Sequence, residues 1–485
     1  MLAFASEPVN LAFLLSLLLS LIAVTGSAVI GRDAAFYLDI AQQVNTDGIA
    51  IAFKRFNWPW YSVFIAYLHK ITSFSYEAIA YIYSFLLMAG TASLIVSMVK
   101  KIRPEASYWA VLLVLSIPAF NIFRDDLLRD IGFWFFLTLS LWLMLLENSK
   151  IDGFLRGALV QLSVVMAMFF RLEAAFILPA LALYIVFFER DVSIKQRALN
   201  VLKISTLFIV GLVAAVASSI SQDWLSQPRV VHYLSMIQPE SFYKAFMVKS
   251  DKFAHIALAK WSYSDAPLII LSGIFFALCV NAFKYGGLAS LLLIPSNSRK
   301  AWLKAMGDFK LHAVAAVLYF VVLYVFFVQK GFINSRYSTL LILLLVPFFA
   351  VAAKEFFATR KKLAAVFIIL SVVMALSNVV STGESKAYYL DAAKWIENNT
   401  SAQDKILYDN SRVAYYAGRG YPHAANVLYS LEKWNIPRLK NYQYFVVTLR
   451  RKETKRLEKI KQRGFEQLFS AEGEKKIIYI LTHTK

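Results

Sequence analysis

One cysteine in 485 residues, Cys279, excludes an intramolecular disulfide and leaves no basis for a zinc site built on thiolates. The six histidines, His69, His232, His255, His312, His423 and His483, show neither His-x-x-x-His nor His-Glu-x-x-His spacing. A metal centre built on imidazoles is therefore not indicated. The chain has no Walker A loop and no Gly-x-Gly-x-x-Gly turn, so nothing marks a nucleotide-driven pump or a Rossmann site. Charge is also scarce. Asp, Glu, Lys and Arg make up 17% of the residues, whereas soluble domains carry roughly a quarter. There is no internal repeat and no low-complexity segment.

What is abundant is apolar surface. Hydrophobic residues account for 59% of the chain and aromatics for 15%, with a mean hydropathy of +0.56. Apolar runs of near 20 residues recur, the length needed to cross a hydrocarbon core of about 30 Å. The composition is that of a polytopic α-helical membrane protein. Length and polar interruptions predict about eleven spans. These are Val9–Ile30, Glu77–Val99, Tyr108–Ile122, Ile131–Leu146, Phe154–Phe170, Ala174–Phe188, Ile204–Ile220, Pro267–Phe283, Leu311–Val328, Ser338–Ala353 and Leu363–Val380. No Lys or Arg precedes Leu11–Ile30, and the run is longer than a signal-peptide core, so it reads as a retained first helix.

The formal net charge is +20, and its distribution points to membrane lipids and lipid-linked anions rather than nucleic acid. With a cytoplasmic N-terminus, the inner loops include Lys100–Arg103, Lys150–Arg156, Glu189–Lys203, Lys284–Lys310 and Arg360–Lys362, which are the basic ones. The outer loops are then Gly31 to about Tyr76, Asn121–Asp130, Arg171–Glu173, Gln222–Ala266 and Lys330–Tyr337. They too carry cations, which substrate binding would explain. Within the first outer loop, Phe36, Tyr37, Ile40, Ala41 and Val44 share a helical face, with Asp33 at the N-cap and Asp39 on another face. Pro59–Lys70 reads as a second helix too short to span. Both are expected to lie at the membrane surface, as is the large loop Gln222–Ala266.

Residues 381–385 (STGES) read as a linker, which divides the chain into a transmembrane domain, 1–383, and a small soluble α/β domain, 384–485. In the latter, Tyr388–Asn398 and Lys452–Gln462 have helical character, and Lys405–Tyr408, Tyr444–Leu449 and Lys476–Leu481 read as strands. An odd number of spans puts this domain outside the cell, on the side of Asp33.

Four charged turns are candidates for chemistry. The first holds Asp33, Asp39, Lys54 and Arg55, followed by Asn57-Trp58-Pro59-Trp60. Asp33 suits either a helix cap or a general base, roles that do not exclude each other. The second is Arg124-Asp125-Asp126-Leu127-Leu128-Arg129-Asp130, where an Asp125–Arg129 salt bridge is the plain alternative to a substrate route. The third is Phe170-Arg171-Leu172-Glu173, otherwise a turn of paired charges. The fourth, Lys330 to Tyr337, is either an interfacial anchor or a phosphate site built on Lys330 and Arg336.

These four turns, with the stretch Asp409–Arg419, resemble the GT-C class of integral-membrane glycosyltransferases, in particular the family-39-like group related to protein mannosyltransferases and aminoarabinose transferases. Gly31-Arg32-Asp33-Ala34-Ala35-Phe36-Tyr37 is similar to the first-loop motif, Phe170–Glu173 to an Arg-Pro-Glu turn, and Ser335-Arg336-Tyr337 with Leu340–Pro347 to an Arg-Tyr-Leu-Leu-Pro segment. Ala34 stands where many members have a second acid, and Asn57-Trp58-Pro59 where many have Lys-Pro-Pro. The resemblance implies transfer of a sugar, with inversion, from a polyprenyl-phosphate donor to a glycan, lipid or protein acceptor outside the inner membrane. Asp33 would be the base. Arg55, Arg124, Asp126, Arg129, Arg171, Glu173, Lys330, Arg336 and Tyr337 would bind substrate and its phosphate. No nucleotide is required, no cofactor is specified, and a divalent metal stays open. A polysaccharide polymerase or ligase, or a lipid-linked sugar flippase, are the other readings.

Overall fold

The computed structural model describes residues 6–146, 153–189, 191–219, 231, 238–380, 385–433 and 437–483. Residues 381–384 of the expected linker, 150–152 of the loop before Arg156, and 222–230 and 232–237 of the loop expected at Gln222–Ala266 lie outside these residues. The chain resolves into two compact units, each assembled from separate stretches. A helical unit comprises Met1–Ser20, Ile82–Arg124 and Arg129–Val379, and a mixed unit comprises Leu21–Tyr81, Asp125–Leu128 and Val380–Lys485.

Among the described residues, seven helices are long and apolar enough to cross a membrane: Pro8–Thr25, Tyr76–Ile102, Gly153–Phe170, Lys260–Gly286, Lys310–Lys330, Ser335–Phe357 and Lys361–Val379. Asp130–Met144 and Leu172–Phe188 are apolar but shorter. In the helical unit Ser335–Phe357 is buried along most of its length, whereas Lys361–Val379 exposes most of its apolar side chains, as a lipid-facing helix does. Each expected span meets helix, although the first, Val9–Ile30, is helical only to Thr25, and two others depart from a single straight rod. Tyr108–Ile122 is two pieces, Ser107–Ser116 and Pro118–Asn121, with Ile117 extended between them. Proline disfavours helical backbone at the preceding residue, so the break falls at Ile117. The Leu172–Phe188 segment opens with a 3₁₀ turn, Leu172–Phe176, before its α-helix.

In the mixed unit the stretch after the first expected span forms α1 (Arg32–Asp47), α2 (Ile49–Arg55) and α3 (Trp60–Thr72). Of the expected apolar face of α1, Tyr37, Ile40, Ala41 and Val44 are buried, joined by Ala34, Ala35 and Leu38, while Phe36 is half-buried. Two details differ. The N-cap is Gly31, and no side chain caps the helix, so Asp33 stands inside the first turn. Asp39, expected on a different face, is buried with the apolar residues at 2% exposure. In the helical unit, Pro239–Ala257 is a helix, and Tyr243, Val248, Ile256 and Trp261 are exposed along it and just beyond.

The last hundred residues build a four-stranded sheet from β1 (Ile406–Tyr408), β2 (Tyr444–Arg450), β3 (Phe465–Glu472) and β4 (Lys476–His483), in the order β1-β2-β4-β3. β1 and β2 are parallel, and the other pairs are antiparallel. Alternation along β2 and β4 supplies two cores. Val446, Ile478 and Ile480 pack with the helix Tyr388–Asn399. Phe445, Val447, Tyr479 and Leu481 pack with Val427, Leu431, Leu457 and Ile460. Val29, from just before the first loop, belongs to the first of these cores.

Candidate active site

The first loop enters the mixed unit held on both sides by the C-terminal region. The Ile30 amide donates to the Tyr416 hydroxyl at 2.9 Å, and Arg412 Nη1 reaches the Ile30 carbonyl at 3.4 Å. Asn410 Nδ2 donates to the Tyr389 hydroxyl at 3.0 Å, and the Arg412 guanidinium lies 4.7 Å from the centre of the Tyr389 ring. Residue 31 follows at once. A Cβ on Gly31 would sit 2.7 Å from Asp126 Oδ1, so only glycine lets that carboxylate lie against the backbone. The φ of Gly31 is −61°, open to any residue; here the requirement is space. Asp33 is two residues on, half-buried, in the first turn of α1, where the partial positive charge of the helix end favours an anion. Asp125, next to Asp126, has its carboxyl pushed above the usual range by burial, against the opposing pull of Lys386.

One turn and a half along α1, the Asp39 carboxylate accepts from Arg55 Nη1, forming a salt bridge. Arg55 Nη2 donates to the Tyr421 carbonyl at 2.9 Å, and its guanidinium lies 5.6 Å from the Phe36 ring centre. Arg55, expected on substrate phosphate, is thus engaged in joining α1 to the C-terminal region. Tyr415 brings its hydroxyl within hydrogen-bonding reach of the Glu77 carboxylate.

The helical unit holds the remaining charged residues. Arg124 is fully buried. Its Nε and Nη2 donate to Asn121 Oδ1 at 2.9 and 2.7 Å, and its Nη1 reaches the Ser16 carbonyl, Ser16 Oγ and Ser20 Oγ at 2.7, 3.0 and 2.8 Å. These bonds fasten the Arg124 turn to the first helix and satisfy a buried cation without a carboxylate. Arg171, also buried, pairs with Asp130 and, at 3.1 Å, with Glu173. Its guanidinium lies 4.3 Å from the Tyr337 ring centre and 5.6 Å from that of Phe133. The Tyr319 hydroxyl donates to the Tyr337 carbonyl at 2.8 Å. Arg171, Glu173 and Tyr337 are therefore brought together, with Asp130 and Tyr319 as members that the sequence reading missed. Asp130 had a visible signal, since it ends the charged turn Arg124–Asp130; Tyr319, in mid-helix, had none. Lys330 is exposed at the end of its helix and Arg336 half-buried in the first turn of the next. Among the described residues no group of three or more His, Cys, Asp or Glu side chains is placed to hold a metal ion.

This architecture defines the class: a polytopic membrane protein of GT-C fold with a small C-terminal α/β region. The solved structures that it matches include the Archaeoglobus fulgidus oligosaccharyltransferase, in complex with zinc and sulfate, at a TM-score of 0.55 and 11% identity, covering 90% of this chain and 67% of that one. ArnT from Cupriavidus metallidurans in its apo state matches over 98% of both chains, at 13% identity and a TM-score of 0.46. The same protein bound to undecaprenyl phosphate matches over 97% of both, at 11% identity and 0.45. At the sequence level no protein-family model and no curated protein matches.

Proposed function

We propose that this chain is an inner-membrane glycosyltransferase that takes a sugar from a polyprenyl-phosphate donor and places it, with inversion, on a hydroxyl acceptor outside the cytoplasm. The observation that carries the reading is the contact of Asp126 with Gly31. It brings a carboxylate from a second charged turn to the foot of the helix that bears Asp33. The fold shared with an oligosaccharyltransferase supports it.

In the proposed reaction the acceptor oxygen attacks the anomeric carbon from the face opposite the phosphate. Asp33 takes the acceptor proton as the new carbon–oxygen bond forms. The bond from the anomeric carbon to the phosphate oxygen breaks, and its electron pair leaves with the polyprenyl phosphate. Asp126 supplies negative charge that favours the oxocarbenium-like carbon. The phosphate role is assigned to Arg129, Lys330 and Arg336, cations suited to an anionic leaving group. Arg171, Glu173 and Tyr337 are assigned to orienting that group. Arg55 and Arg124 are assigned to structure, because their guanidinium groups already serve the bonds described above.

The purified chain, supplied with polyprenyl-phosphate sugars and an envelope extract, is expected to release polyprenyl phosphate and form a glycoside of inverted configuration, read by NMR. Movement of the intact lipid-linked sugar across vesicles without turnover would replace this reading with a flippase. Gly31→Ala is expected to displace Asp126 and slow transfer about tenfold, with little change in thermal stability. An unchanged rate would show that the place of Asp126 does not matter.

A further inference from the structure

We infer that Tyr421, from the C-terminal region, is an acceptor-positioning residue standing beside Asp33. The inference rests on Asp33 being the base.

Tyr421 follows two glycines with positive φ, Gly418 at 68° and Gly420 at 70°, a backbone conformation that glycine adopts without steric cost. Gly420 also lies close to α1: a Cβ there would be 3.2 Å from Asp39 Oδ1. The same Asp39 is paired with Arg55, which holds the Tyr421 carbonyl. The peptide at 420–421 is therefore clamped against α1 from two directions. The side chain is fixed as well. Its ring packs on Phe36 at 5.6 Å between centres, and Ser411 lies within hydrogen-bonding reach of its hydroxyl. Phe36 is three residues after Asp33, so the two share a face of α1. Arg32, Asp33 and Arg412 are all within electrostatic range of the phenol, and burial raises its pKa.

The result is a half-buried aromatic ring, held rigidly next to the carboxylate assigned as base. A base of this kind meets the acceptor hydroxyl, so a wall beside it borders the acceptor rather than the donor phosphate. A flat aromatic surface suits the apolar face of a sugar-like or other polyhydroxylic acceptor. The Asp39–Arg55 pair then has a role: it sets the place of Tyr421 relative to α1.

The test compares full-length wild type, Tyr421→Ala and Tyr421→Phe in detergent, with a polyprenyl-phosphate sugar as donor and graded envelope extract as acceptor. Tyr421→Ala is expected to raise the half-saturating amount of acceptor about tenfold, while the half-saturating donor concentration moves less than twofold. Tyr421→Phe keeps the ring and is expected to restore most of the acceptor affinity. Size-exclusion profiles confirm that each variant is folded. If the two half-saturation values shift together, or neither shifts, this inference is overturned while the enzymatic reading stands. If the wild type turns over no polyprenyl-phosphate sugar, both fall.

Discussion

Asp33→Asn is expected to lower sugar transfer by about 10²–10⁴-fold, the usual contribution of a positioned base, without loss of folded protein. The two halves of that expectation have separate grounds. Asn keeps the shape of the side chain but does not take a proton from an acceptor hydroxyl near neutral pH. Stability should largely survive because Asn keeps the size and hydrogen-bonding capacity of the side chain, and an anion in the first turn of a helix contributes only about 0.3–1 kcal/mol. Asp33→Glu retains a base with its carboxylate displaced by one methylene, and should fall between the wild type and Asn. Initial rates with a polyprenyl-phosphate sugar, alongside size-exclusion profiles, decide the matter. Full activity in Asp33→Asn would remove Asp33 from the mechanism.

The second large effect concerns stability. Arg171→Ala removes the cation from a site where its side chain is 5% exposed and those of Asp130 and Glu173 are 2% and 12% exposed. Breaking a buried ion pair from one side typically costs about 3–5 kcal/mol, since the partner keeps its desolvation penalty without compensation. Here two carboxylates are left behind. The Arg171 guanidinium also lies over Tyr337 and Phe133, so packing is lost too. Thermal unfolding in detergent should show a drop of many degrees, and the yield of monodisperse protein should fall. Arg171→Ala with Asp130→Ala and Glu173→Ala should be less damaging than Arg171→Ala alone, because the two buried carboxylates no longer remain without their cation. A triple variant worse than the single one would mean that packing, not charge, holds this turn.

Much of the architecture was legible because hydrophobic length and period 2 alternation are local signals. Each of the eleven predicted spans meets helix, seven of them the helices long and apolar enough to cross a membrane, and three of the four strands and both flanking helices of the C-terminal region stand where their side-chain patterns put them. β3 was missed because its alternation, Phe-Glu-Gln-Leu-Phe-Ser-Ala-Glu, is interrupted by a shift in register between Gln467 and Phe469. The break at Ile117 was available from Pro118 but was outweighed by the apolar run around it. The site was legible one turn at a time. Arg171 and Glu173 are neighbours in sequence, and their pairing was the plain reading of that turn. The partners Asp130 and Arg171 are 41 residues apart, and Arg55 and Tyr421 are 366 apart. Pairings of that kind depend on how helices cross and how the chain returns, which no local pattern encodes. Arg124 shows the opposite failure. A cation beside a membrane span suggests a ligand, yet two serines on the first helix and a nearby asparagine satisfy it.

The bonds at Ile30 have a consequence for synthesis. The amide and carbonyl of this residue are held by Tyr416 and Arg412, almost 390 residues later. When the first helix enters the bilayer, the partners of Ile30 have not been translated, and they are made only after every other span has been inserted. The stretch carrying Asp33 must therefore wait, incompletely bonded, through the whole of biogenesis. Its final form is reached only when the last hundred residues arrive and fold onto it. A chain halted or cleaved before Tyr388 would keep its apolar helices and lose the bonds that fix Ile30. Catalytic competence would then depend on complete translation, and unfinished copies would be inactive even when correctly inserted.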